Sequence, residues 1–172
     1  MRRALTCIAL LASLVPVGSQ AALEDQVKAA FLLNFAKFIQ WPATSFSNVT
    51  DTLRLCVAGS DDTVQTIRSS LAGKRVGRHP IEVHSGATDT AGCHMAYLQG
   101  DAGVVKDLIA ALESGGTLSV YETDTLLEGG VIRFYLENRK VRFEVNLDAA
   151  RSQGLVISSK LLAVARIAST DD

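Results

Sequence analysis

Residues 129–168 read GGVIRFYLENRKVRFEVNLDAARSQGLVISSKLLAVARIA. Two strand-like runs, residues 131–137 and 140–146, flank Asn138-Arg139. Asn tolerates the left-handed backbone that a two-residue hairpin turn demands. With that turn, Leu136 opposes Val141, Phe134 opposes Phe143 and Ile132 opposes Val145. Side chains alternate along a strand, so these six form one apolar face. The other face carries Arg133 opposite Glu144 and Tyr135 opposite Arg142. Such cross-strand pairs contribute roughly 0.2–1 kcal/mol each. Beyond the hairpin, Asn146 is an N-cap, Asp148 sits in the first helical turn and Gly154 stops it. The run Leu155–Ile157 leads to Ser158-Ser159, which cap a last helix through Ile167 with Leu161, Leu162, Ala165 and Ala168 on one face.

Upstream, strand and helix patterns alternate. The spacing of Val27, Ala30, Phe31, Asn34, Phe35, Phe38 and Ile39 predicts a first helix over 23–40, stopped by Pro42. This apolar stripe reads as a core helix, the alternative being a helix that docks a partner. Strands are expected at 53–58, 81–84, 93–99 and 117–121, and helices at 63–71 and 104–112. Asp61 and Asp62 read as caps of the helix after Gly59, and Leu126-Leu127 as a short helical turn. The pattern predicts a single α/β domain with a mixed sheet, helices on both faces, and a C-terminal β-hairpin followed by helices.

The chain has 172 residues, 48% hydrophobic, with 17 basic and 18 acidic side chains. That suffices for one substantial core, and its near-neutral charge offers no global field for nucleic acid. Met1-Arg2-Arg3, the apolar run 4–15 and Ser19-Gln20-Ala21 read as a secretory signal peptide over 1–21, leaving a domain over 22–172. The apolar run is too short for an ordinary transmembrane helix, so the exported protein is expected not to be membrane-embedded. Removing the leader leaves Cys56 and Cys93. An even count in an oxidising compartment suggests one disulfide, the alternative being two buried free thiols.

His79, His84, Cys93 and His94 are metal-capable types without a compact ligand spacing. Ser158 and Ser159 lack a nucleophile elbow, and no phosphate-binding glycine loop occurs. No catalytic group, cofactor or metal is expected. The sharpest reading of the charged ladder is a recognition surface of Arg133, Arg142, Glu144 and Arg151, against a purely structural ion-pair network.

The run RFEVNLDAARSQGLVISSKLLAVAR at 142–166 resembles the C-terminal signature of the YfiR-like periplasmic proteins. The resemblance extends to VKAAFLLNFAKFIQWP at 27–42, GKRVGRHPIEV at 73–83 and CHMAYL at 93–98, though Leu33 stands where the family pattern has tyrosine. It implies a three-layer α/β/α sandwich and a non-catalytic periplasmic regulator. Such a protein would repress a membrane-bound diguanylate cyclase by contacting its periplasmic domain, be captured by an outer-membrane OmpA-like lipoprotein, and form a homodimer. The resemblance also implies that some relatives carry a further cysteine pair towards the C-terminus; this chain has no cysteine after Cys93. A periplasmic small-ligand sensor or solute-binding protein is the alternative function.

Overall fold

The computed structural model describes residues 18–86, 92–112 and 115–168. The leader therefore lies outside the described residues except for 18–21, as does most of the loop after Gly86. In chain order the elements are α1 (Gly18–Phe38), β1 (Ile39–Gln40), β2 (Leu53–Ala58), α2 (Asp61–Leu71), β3 (Arg75–Val76), β4 (His79–Ser85), β5 (Met95–Gln99), α3 (Ala102–Ala111), β6 (Leu118–Glu122), β7 (Ile132–Glu137), β8 (Lys140–Val145), α4 (Leu147–Ser152), β9 (Val156–Ile157), α5 (Ser159–Leu162) and β10 (Arg166–Ile167). An eight-stranded sheet runs β10-β8-β7-β6-β5-β2-β4-β3, and β1 pairs with β9. Strands β4, β2, β5, β6 and β7 are mutually parallel, while β8 turns back against β7. This is a single-domain α/β fold on a mixed sheet.

The hairpin has the expected register: Ile132 opposes Val145, Arg133 Glu144, Phe134 Phe143, Tyr135 Arg142 and Leu136 Val141. Asn138 and Arg139 both have positive φ, 51° and 60°, the backbone of a two-residue primed turn. Arginine is disfavoured there because its Cβ crowds the following carbonyl. Replacing Arg139 with glycine should therefore stabilise the protein by about 0.5–1 kcal/mol. The expected signal is a higher urea midpoint at unchanged m; an unchanged or lower midpoint would show that Arg139 sits there without strain.

Alternation sorts the sheet into two cores. Leu55, Val57, Met95, Tyr97, Val120, Phe134 and Phe143 face α1 and α2, while Ala96, Leu98 and Tyr121 pack with Val105 and Ile109 of α3 and with Leu112, its C-cap. Helix α1 docks through aromatic contacts. Phe35 meets Phe143 at 4.9 Å and Phe134 at 5.6 Å between ring centroids, and Phe31 meets Phe143 at 5.5 Å. Offset and tilted ring pairs of this kind add to simple burial.

Several expectations need correction. The buried apolar face of α1 is Ala29, Leu32, Phe35 and Ala36, continued by Ile39 of β1, whereas Val27, Ala30 and Asn34 are exposed. Helix α1 stops at Phe38 rather than Gln40, because Ile39-Gln40 pair antiparallel with Val156-Ile157. Ser60, not an aspartate, caps α2 by accepting from the Thr63 amide; Asp61 and Asp62 occupy its first turn. Leu126-Leu127 form no helical turn: the Leu127 amide donates to the Tyr121 hydroxyl, and its carbonyl accepts from Gly130. The last helix does not reach Ile167. It is the single turn α5, after which Arg166-Ile167 pair parallel with Glu144-Val145. The outer edge of β8 offers unpaired backbone groups there, and a ladder satisfies them where a longer helix would not.

Candidate recognition surfaces and the buried charge cluster

The odd-numbered side chains of β7 and the even-numbered ones of β8 lie on the α3 side of the sheet. Arg133 pairs with Glu144 through Nε and Oε1, with side chains 12% and 4% exposed. The Arg133 guanidinium also donates to the carbonyls of Thr123 and Asp124, each at 2.9 Å. It thereby fastens the β6–β7 connection. Tyr135 lies under two guanidinium groups, Arg166 at 4.7 Å and Arg133 at 5.4 Å from its ring centroid. Glu137 meets Arg166 at 3.2 Å and Arg142 at 3.7 Å, all three about half exposed.

The fold thus brings Arg133, Arg142 and Glu144 onto one face. The pair Arg133–Glu144 is shielded, and Arg142 remains open to solvent. Arg151 sits on α4 in a separate exposed pair with Asp148. Arg166 joins this face although its stretch of sequence reads as helix; only the pairing of β10 with β8 places it there. The face borders a cleft of about 810 Å³ between Arg133 and Tyr135 on one side and Asp101-Ala102, at the start of α3, on the other.

A second cluster lies under α1 at the carboxyl ends of β2, β5 and β6. Strand β2 connects through α2 to β4 on one side, while β5 connects through α3 to β6 on the other. The ends of β2 and β5 therefore form the topological switch point of the sheet, where α/β proteins place recognition groups. Lys28 reaches down from α1 and binds Glu122 at 2.7 Å and Glu24 at 2.6 Å, its side chain 4% exposed. The Glu122 carboxylate also accepts from the Tyr97 hydroxyl at 2.9 Å and from Gln99 at 3.0 Å. Beside it, Thr63 donates to buried Asp25 at 2.8 Å.

Burial pushes the Lys28 ammonium down, but Glu122 and Glu24 outweigh that and hold it above its ordinary value. Burial pushes Glu122 up, yet hydrogen bonds from Lys28, Gln99 and Tyr97 hold it below the usual carboxylate range. Burial, reinforced by the Glu122 charge, pushes the Tyr97 phenol well above its usual range. Each shift carries the pKa further from neutral pH, so Lys28 and Glu122 stay charged and Tyr97 stays protonated, which suits a fixed electrostatic clamp more than proton transfer. No residue of this cluster is singled out by the sequence reading above. The signal was present: Lys28 is in helical phase with Leu32, Phe35 and Ile39, which places a charge on the buried face.

The opposite end of the sheet carries the cysteines. Cys56 of β2 is joined to Cys93, which lies two residues before β5 rather than within it; their Cα atoms are 5.9 Å apart. With its sulfur in that bond, Cys93 is no metal ligand. The His94 ring stacks on Phe46 at 4.2 Å, and His79 stacks on the same ring at 4.1 Å. Nδ1 of His94 accepts from the Arg54 amide at 3.1 Å, and Nε2 faces the Ser45 carbonyl at 2.8 Å. Burial is the largest influence and lowers the His94 pKa. A proton on Nδ1 would also face the Arg54 N–H, so the neutral ring fits this site.

Fold and surfaces together define a class: a single-domain, mixed-sheet α/β protein with a clamped charge cluster under α1 and an exposed charged face on the hairpin. A family model described as YfiR/HmsC-like matches residues 25–166. The chain belongs to the YfiR/HmsC-like family, a family of periplasmic regulators. No curated protein is similar enough to this chain to count as a match. Among the described residues, no helix is long and apolar enough to cross a membrane.

Proposed function

We propose that this protein is an exported, non-catalytic periplasmic repressor. It binds the periplasmic domain of a membrane-bound diguanylate cyclase and lowers cyclic-di-GMP signalling and biofilm formation. The observation that carries this reading is family membership across residues 25–166. The leader-like segment 1–21 supports export, and the exposed guanidinium groups of Arg142 and Arg151 suit protein recognition. Repression is a population shift: the protein must bind the inactive arrangement of the cyclase more tightly than the active one. Capture by an OmpA-like lipoprotein of the outer membrane would release the cyclase, and the repressor would act as a homodimer. The cleft of about 810 Å³ beside Tyr135 favours a second reading, in which a small ligand is sensed at the carboxyl ends of the strands.

Deleting the gene should raise cyclic-di-GMP and biofilm, and restoring the exported protein should lower both. Unchanged cyclic-di-GMP in the deletion strain, with the cognate cyclase expressed, would overturn the repressor reading.

A further inference from the structure

Three of the large apolar side chains that stay exposed converge on one groove. Leu23 and Val27 of α1 are 60% and 45% exposed, and Leu136 at the hairpin tip is 56% exposed. They wall a groove of about 420 Å³ between α1 and the hairpin, floored by Phe31 and Val141, which pack on the main core. Scattered exposed apolar residues are ordinary, but several lining one polar-rimmed concavity mark an interaction site.

The rim gives the sign of the partner. Arg139, Lys140 and Arg142 line it at the hairpin tip, and of these Arg142 is paired with Glu137. On the opposite rim the one acid, Glu24, is bound by Lys28. The groove therefore presents an apolar floor inside a positive border. Its length gives the partner's shape. Leu23, Val27 and Phe31 are spaced four residues apart along α1, which spans roughly 12 Å, or two helical turns. A strip of that length accepts two or three anchors repeating every three to four residues.

We propose that this groove docks an amphipathic helix of the protein partner, with apolar anchors flanked by acidic side chains; the proposal rests on the reading that the chain acts by binding a cyclase's periplasmic domain. A second copy of this chain is the poorer occupant, because an isologous contact sets the basic rim against itself. A bilayer is poorer too, because the apolar side chains line a concavity instead of projecting from it.

The test uses the exported chain and the recombinant periplasmic domain of the cyclase. The variant V27E/L136E should bind at least about tenfold more weakly. V104E, which alters an exposed apolar residue of α3, should bind like the parent. The variant R139E/K140E should lose affinity at low salt and differ little at high salt, because exposed charges are screened. All these positions are solvent-accessible, and circular dichroism with thermal melting checks that each variant folds. If the parent binds and V27E/L136E binds equally well, the groove is not the docking site although the repressor reading stands. If the parent does not bind at all, the repressor reading falls and the groove proposal falls with it. Groove variants that only dissociate a dimer, or only lose sedimentation with phosphatidylglycerol vesicles, with cyclase binding unchanged, would assign the groove to a second copy or to a membrane and overturn the proposal.

Discussion

Replacing Lys28 with methionine is expected to destabilise the protein by about 3 kcal/mol, because it leaves two half-buried carboxylates without the enclosed cation they share. Among the described residues Lys28 is the cation that pairs with both Glu24 and Glu122, and its side chain is almost wholly enclosed. In a domain of this size, that loss lowers the melting temperature by about 10 °C. The double variant K28M/E122Q should recover much of the loss, because both members of the pair lose their charge together. The effect has a pH signature. The raised Lys28 pKa contributes stability that is fully present below its unfolded value near 10.5 and is lost as pH rises through the higher folded value. The lowered Glu122 pKa contributes stability that is present above its unfolded value near 4.5 and is lost as pH falls through the lower folded value. The gap between parent and K28M should therefore be widest between those limits and narrow towards both extremes. A K28M melting temperature within a degree of the parent would show that the cluster does not hold α1 to the sheet.

Loss of the Cys56–Cys93 bond should have a comparable effect. The cysteines are 37 residues apart, and closing a loop of that length restricts the unfolded chain by about 4 kcal/mol in the loop-entropy treatment. The link joins β2, an interior strand of the sheet, to the entry of β5, its hydrogen-bonded neighbour. Urea titrations of the parent with and without reductant, and of C56A/C93A, should give two coincident low midpoints and one high one. Thiol counting on the unreduced, denatured protein should find close to none at these positions. Identical midpoints with and without reductant would mean that the bond contributes nothing.

The hairpin was legible from local chemistry. Its turn residues, the alternation on either side and the matched apolar pairs all specify one register, and the structure has that register. The N-cap at Asn146 was equally local, since the Asn146 side chain accepts from the amides of Asp148 and Ala149, two and three residues on. The phase of α1 was harder. Its sequence is apolar around most of its circumference, so periodicity alone did not separate Leu32 and Ala36 from Val27 and Ala30. The neighbours decide that question, through the rings of Phe134 and Phe143.

By itself, the sequence determined the α/β class, the hairpin register, the capped helix after it and the cysteines available for bridging. Each of these follows from residues close in the chain or from simple counting. The tertiary structure alone decided the end of the chain and the charge cluster. Residues 166–167 read as helix, yet the open edge of β8 draws them into a strand, because unpaired backbone groups outweigh a weak local preference. Lys28 and Glu122 are 94 residues apart. Their pairing depends on α1 crossing the carboxyl end of β6, and no local pattern encodes a contact at that separation.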